Sequence, residues 1–200
     1  MITKNAFVPA ARMFLVLLAL TGIVYPVVMT LAAGALFPSQ ASGSLVTVDG
    51  QVVGSSLLAQ PFTADRYFGP RPSAVNYGID PATGDLAASG GSNLGPTSAD
   101  LQKAVQERAA AIRAKNGLTP DAPIPPDLLF ASGSGLDPHI SPVAARLQID
   151  RVAKARGFSA AQRDRLVALV ESSIEYPQLG VLGEPRVNVL MLNLALDQLK

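Results

Sequence analysis

Cysteine is absent from this 200-residue chain, and histidine occurs once, at position 139. Without cysteine there is no disulfide framework, no thiolate metal site and no lipoprotein anchor, and the redox compartment is left open. One imidazole cannot complete a tetrahedral zinc shell without several carboxylates. The acidic residues are scattered singly, with no D-x-D-x-D run for calcium, so no metal site is expected. No G-x-x-x-x-G-K-[ST] stretch is present to cradle a nucleotide phosphate. Charge is missing altogether from Met13 to Phe37, MFLVLLALTGIVYPVVMTLAAGALF.

That uncharged stretch accounts for a mean hydropathy of +0.30. As a helix it is roughly 37 Å long, enough to cross a hydrocarbon core of about 30 Å with some tilt. Ser39-Gln40-Ala41 has the small-residue character of a signal-cleavage site, but the apolar run is much longer than a signal h-region, so an uncleaved anchor is expected. Lys4 and Arg12 precede the run, and the first charge after it is Asp49. The positive-inside rule then puts residues 1–12 in the cytoplasm, the membrane helix at 13–37, and residues 38–200 outside, which is the periplasm of a bacterial cell. With Lys4 and Arg12 set aside, 14 basic residues face 15 acidic ones, a net charge of −1. Bulk electrostatics therefore exclude a nucleic-acid binder.

The outer part reads as a mixed α+β domain of short strands and about four helices. Ser44–Val48, Asp49-Gly50 and Gln51–Val53 give a hairpin signal with its turn dipeptide in place. Residues 61–96 are rich in Gly, Pro, Ser and Asn, yet Tyr67, Phe68 and Tyr77 are aromatic anchors that predict an ordered loop. A helix is predicted from Thr97, with Asp100 as an approximate capping-box partner and Gly117 as its stop. Leu101, Val105, Ala109 and Ile112 would face the core. A short strand is expected around Leu128–Ala131. Ser141-Pro142 opens a second helix closed by Gly157, decorated by Arg146, Arg151, Lys154 and Arg156, which read as a solvated face. Ser159 with Gln162 starts a third helix to about Ser173, and residues 187–199 form a last apolar one.

The stretch ASGSGLDPHISP, residues 131–142, holds the residue types of a hydrolytic triad: Ser132 or Ser134, Asp137 and His139. Asp137 and His139 flank a proline, which predicts side chains that diverge, and no G-x-S-x-G elbow is present. A structural reading uses every residue: glycines for positive φ, Asp137 for an Asx turn, Ser141-Pro142 for a helix start. The loop is thus expected to hold a fixed shape for a partner. A membrane-anchored enzyme using Ser134, Asp137 and His139 is the alternative. Ser89-Gly90-Gly91-Ser92-Asn93 has the composition of an anion nest, but without a following helix or a lysine it reads as a tight turn.

Taken in order, TGIVYPVVMT, FPSQASGSL, QPFTADRYFGPRPSA, ASGGSNLGPTS, SGSGLDPHISPVAARLQIDRVAKARG and GEPRVNVLMLNLALD span about Thr21 to Asp197. In these motifs the chain resembles the C subunits of the Kdp-type potassium-transporting ATPases of bacterial inner membranes. The resemblance implies an accessory subunit with no catalytic centre. It implies as partners a channel-like potassium-binding subunit, a P-type ATPase subunit and a small membrane peptide, which between them handle ATP and potassium. The D-K-T-G-T phosphorylation motif of P-type pumps is absent here. The family is described as a catalytic chaperone that promotes ATP binding; a domain outside the cytoplasm makes any such effect indirect, and placement over the channel-like subunit's outer entrance fits better. Gly22, Pro26, Thr30 and Gly34 recur every four residues as a stripe of small groups for helix packing. Pro26 frees a backbone carbonyl for a neighbour or Thr30 to satisfy. Tyr67, Phe68, Arg71, Tyr77, Ser134, Asp137 and His139 are the partner-surface candidates, with core anchoring as the competing role for the aromatic loop.

Overall fold

The computed structural model describes residues 4–75, 77 and 88–199. The chain divides into two compact units, Met1–Val53 and Gly54–Lys200. In the first, helix α1 (Lys4–Ala19) runs through a π-helical turn (Leu20–Val24) into α2 (Tyr25–Leu36), followed by one short turn of helix, α3 (Pro38–Ala41). The stretch long and apolar enough to span a membrane is Ala6–Leu36. Helix therefore starts well before Met13, because the residues preceding the apolar run extend the same turn pattern.

The π turn explains how the helix tolerates Pro26. A proline has no N–H to give to the carbonyl four residues back, so the regular ladder breaks there. One residue earlier, the Tyr25 N–H bonds the carbonyl of Leu20, five residues back, so the ladder widens before the proline arrives. The Thr21 hydroxyl donates to the Leu17 carbonyl at 2.7 Å. Within the helix the ladder is adjusted by this wider turn. Strands β1 (Leu45–Val48) and β2 (Gln51–Ser55) form the predicted hairpin. Asp49 and Gly50 take φ values of 50° and 78°, the doubly left-handed turn that matches strand twist. The division between the two units falls inside β2.

The second unit is built on α4 (Ala99–Asn116), α5 (Pro126–Leu129), β3 (His139–Ile140), α6 (Pro142–Ala155), α7 (Ala160–Ser172), β4 (Ile174–Glu175), β5 (Arg186–Asn188) and α8 (Val189–Asp197). The three short strands pair antiparallel in the order β3-β5-β4. Val187 on β5 lies opposite Ile140 on one side and Ile174 on the other, so the sheet centre is aliphatic. Helix caps fall where side-chain chemistry puts them. Ser141 accepts from the Ala144 N–H at 3.1 Å with Pro142 behind it, and Ser159 with Gln162 forms a full capping box.

Several boundaries differ from the sequence reading. The first helix of this unit is capped by Ser98, whose hydroxyl accepts from Leu101 N–H, and not by Thr97. Gly117 closes it as predicted, at φ 64°. Leu101, Val105 and Ala109 are only half-buried, and of the four predicted core residues Ile112 alone packs against the central cluster. Leu128–Ala131 is not a strand: Pro125 and Pro126 preset the φ of a helical turn, α5, and the chain is extended only from Phe130. Residues 187–188 belong to β5, because Asn188 turns from strand into the cap of α8 and accepts from the Met191 N–H at 3.1 Å.

The core lies where α6, α7, α8 and β5 converge. Ala144, Ala145, Val152, Leu166, Val170, Val187, Leu192 and Leu196 are fully buried, each large aliphatic worth about 1.5–3 kcal/mol. Against this core runs the segment Tyr67–Pro72, which has no secondary structure of its own. Side-chain amides replace the missing ladder. Asn193, buried in α8, accepts from the Phe68 N–H at 2.8 Å and donates to the Phe68 carbonyl at 2.9 Å. Gln148, buried in α6, accepts from the Gly69 N–H at 2.8 Å and donates back to the Gly69 carbonyl at 3.3 Å. We expect Asn193→Ala to lower stability by about 2–4 kcal/mol, because it strands a buried donor and a buried acceptor of Phe68. Exposed Gln102→Ala should stay within about 0.5 kcal/mol. Thermal unfolding of the detergent-purified chain by circular dichroism checks both.

Candidate functional site

Three loops meet around the segment quoted above. Pro72 and Ser73 receive and donate the first links: the Ser132 N–H bonds the Pro72 carbonyl at 3.3 Å, and the Ser73 hydroxyl bonds the Gly135 carbonyl at 2.7 Å. From the other side, the Gly90 N–H and the Ser89 hydroxyl both donate to the Ser134 carbonyl, at 2.8 and 3.0 Å. The packing is backbone against backbone. A Cβ on Gly135, which sits at φ 71°, would lie 2.5 Å from the Gly90 carbonyl oxygen, and one on Gly91 would lie 2.9 Å from that of Gly133. The two glycine-rich motifs are thus each other's reason for glycine. Residues 88–91 are a packed partner of 133–135, not an anion nest.

Asp137 organises the charged side of this site. Its Oδ1 accepts from the His139 N–H at 3.0 Å, the predicted Asx turn, and the same oxygen lies 3.2 Å from His139 Nδ1. The expected divergence of the two side chains is therefore corrected: the Asx turn is tight enough to carry the imidazole back over the carboxylate. Asp137 Oδ2 takes an ion pair from Arg71 Nη1 at 2.8 Å. Arg71 is held in turn by its own carbonyl, which accepts from the Tyr77 hydroxyl at 2.6 Å. Burial pushes the Asp137 carboxyl upward, but the His139 hydrogen bonds and Arg71 outweigh it and hold the pKa at about 2. Burial raises that of Tyr77. Asp127, from α5, accepts from both the N–H and the hydroxyl of Ser141, at 2.7 and 3.0 Å, and so ties the end of the loop to the start of α6.

The predicted site residues separate into distinct roles. Arg71, Tyr77, Asp137 and His139 are brought together, and Asp137 and His139 border an open cleft of about 260 Å³ shared with Asp127, Glu184 and Arg186. Ser134 is exposed and lines a second depression with Leu57 and Leu58, which reaches Arg71 and Asp137 but not His139. Its hydroxyl accepts from the Leu136 N–H at 3.1 Å. Ser132 is buried, with its hydroxyl unpartnered. Among the described residues, no serine hydroxyl is hydrogen-bonded to His139. Phe68 is not a surface residue: it is wholly enclosed by the core. Tyr67 is half-buried between the Arg66 and Arg156 guanidiniums, 5.3 and 5.1 Å from its ring centre, and its hydroxyl donates to Asp197 at 3.0 Å. Both aromatics anchor the loop internally. Gly22, Pro26, Thr30 and Gly34 are all exposed on their own unit.

The helix read as a solvated basic face also needs correction. Arg151 is 7 % exposed, donating to Asn116 Oδ1 at 3.0 Å, to Gln148 Oε1 at 2.7 Å and to the Asp65 carbonyl. Burial pulls its pKa down and the Asp65 carboxylate opposes this. Arg156 donates to the Arg66 carbonyl and to Asp197. Arg146 makes a two-pronged pair with Glu171 at 2.6 and 2.7 Å. Gln148, Arg151 and Asn193 were missed as organisers of the site. A signal existed: Gln148 and Arg151 fall on the same helical phase as Ala144, Ala145 and Val152, and Asn193 stands inside an otherwise aliphatic run.

These observations define a mixed α+β unit in a chain that also carries one helix of membrane-spanning length. The family model described as "K+-transporting ATPase, c chain" matches residues 7–198. Relatives named potassium-transporting ATPase KdpC subunit include one from Burkholderia ambifaria, 50 % identical over 194 residues, which is 97 % of this chain and 96 % of that one. Another from Sorangium cellulosum is 54 % identical over 191 residues, 94 % and 95 % of the two chains. A third from Nitratidesulfovibrio vulgaris is 56 % identical over 187 residues, 92 % and 90 % of the two. The chain belongs to the KdpC family.

Asp137 gives a pH test with a defined sign. Its folded pKa lies below the ordinary 3.8, so its contribution is present above that value and is lost as pH falls toward about 2. Asp137→Asn keeps the Asx turn but not the charge, and should cost about 1–2 kcal/mol at pH 7. That deficit should shrink between about pH 4 and pH 2, read from melting temperatures of the two chains across the range.

Proposed function

We propose that this chain is a membrane-anchored accessory subunit of an ATP-driven potassium uptake complex in a bacterial inner membrane. The observation that carries the reading is the family match across residues 7–198, within which every motif of the sequence falls in order. The N-terminus lies in the cytoplasm and the mixed α+β unit in the periplasm, in keeping with Lys4 and Arg12 ahead of the span. Its partners are a channel-like potassium-binding subunit, a P-type ATPase subunit and a small membrane peptide. It assembles and stabilises that complex and acts as a catalytic chaperone that promotes ATP binding by the P-type ATPase subunit, an effect exerted indirectly through those partners.

The stripe Gly22, Pro26, Thr30 and Gly34 is the packing face toward partner helices. Among the described residues, nothing beyond its own stretch of helix lies within 4 Å of a Cβ at Gly34, so a larger side chain there tests contact with a neighbouring helix. The π turn changes the angular step between Gly22 and Pro26, so Gly34 is the cleaner probe. The wild-type chain should co-purify with a P-type ATPase subunit in mild detergent, and Gly34→Leu should release it. A cysteine at exposed Gln106, the only one in the chain, should react with an impermeant maleimide from the periplasmic side. Labelling only after the cytoplasm is opened would reverse the topology.

A non-catalytic role is supported by the separation of Ser134 and His139 onto different depressions and by the lack, among the described residues, of a serine hydroxyl bonded to His139. His139→Ala should therefore give an intact complex that still supports growth in low potassium. Loss of growth with assembly unchanged would favour an enzyme acting through Ser134, Asp137 and His139.

A further inference from the structure

Between β4 and β5 the chain makes a small closed loop, Tyr176–Glu184. Gln178 and Leu182 exchange backbone hydrogen bonds, the Gln178 N–H to the Leu182 carbonyl at 3.0 Å and the reverse at 2.9 Å. The Gly180 N–H closes onto the Pro177 carbonyl at 3.0 Å. The backbone is thus fixed without any core beneath it, yet the residues it presents are apolar. Leu179 is 90 % exposed, Val181 78 %, Tyr176 73 % and Leu182 59 %. Leu179 also sits at φ 55°, a region that costs a leucine about 1–2 kcal/mol and that glycine or asparagine would take more readily. Nothing within the folded unit repays an aliphatic side chain at that position. Clustered exposed apolar groups on an ordered loop mark a contact with something else.

The charges at the base select the kind of partner. Glu175 is paired with Arg186 at 3.0 Å, and Glu171 with Arg146. Glu184 has no cation within ion-pair distance among the described residues and is exposed. The uncompensated charge beside the apolar tip is therefore negative. Loops that enter anionic lipid surfaces carry lysine and arginine around their apolar groups and often tryptophan, and this chain has no tryptophan. We propose that the loop is a preformed plug, Leu179 and Val181 foremost, that seats in an apolar socket of another subunit of the complex, with a basic residue of that subunit facing Glu184. Preforming the loop lowers the ordering cost of docking. The proposal rests on the subunit reading above.

Photocrosslinking in the purified complex tests it. With p-benzoylphenylalanine in place of Val181, irradiation should join this chain to another subunit in a protein–protein adduct. Leu179→Asp and Glu184→Lys should each lower that adduct, and recovery of the chain with the complex, by about tenfold or more. Far-UV circular dichroism of both variants should match wild type, since neither side chain is buried. An adduct to lipid alone, or no adduct while the chain still co-purifies, overturns the plug and leaves the subunit reading standing. Unchanged recovery of both charge variants also overturns it. Failure of the unmodified chain to co-purify at all removes the subunit reading and this inference with it.

Discussion

A long segment that lacks secondary structure but lies against a core has to find partners for its backbone, and here side chains supply them. Asn193 and Gln148 each close a two-bond bracket on consecutive residues, Phe68 and Gly69. Arg151 and Arg156 take the carbonyls of Asp65 and Arg66 just before. An unpaired buried amide costs about 1–3 kcal/mol, so the segment could not lie where it does on apolar contact alone. Once Phe68 is pinned in the core, Arg71 arrives at Asp137, and Pro72 and Ser73 arrive at the glycine-rich loop. The whole polar region is positioned by that bracketed stretch.

This gives the cluster around Asp137 its character. Arg71 and the His139 N–H and imidazole all point at one carboxylate, and Tyr77 buttresses the Arg71 backbone. The glycine contacts between residues 88–91 and 133–135 remove the slack that longer side chains would introduce. Serine, aspartate and histidine are close in sequence here because a rigid corner needs hydroxyls, an Asx turn and a helix cap.

Three elements of α6, α7 and α8 show the same economy. Arg146–Glu171 and Arg163–Asp150 link α6 to α7 at the surface, while Arg156–Asp197 links α6 to α8 at a position where the arginine side chain is only 9 % exposed. The exposed pairs add little stability, whereas the half-buried one also shields the Tyr67 ring. In the apolar helix of membrane-spanning length the adjustment is made by the backbone itself, which widens by one residue at Leu20–Val24 ahead of Pro26.

Local chemistry in the sequence was sufficient for the apolar span, the Asp49-Gly50 turn, the caps at Ser141 and Ser159, and the glycine stops at 117 and 157. Each depends on a few adjacent residues and on no distant contact. The short strands were not legible, since two or three residues carry no period, and β5 exists only because Ile140 and Ile174 flank Val187. The buried roles of Gln148, Arg151 and Asn193 were visible only as polar residues on an apolar phase. Which backbone they serve, 79 to 125 residues away, depends on how the chain closes on itself. Phe68 and Arg151 changed sides for the same reason: a side chain's exposure is a property of what packs against it, and that is decided by tertiary structure.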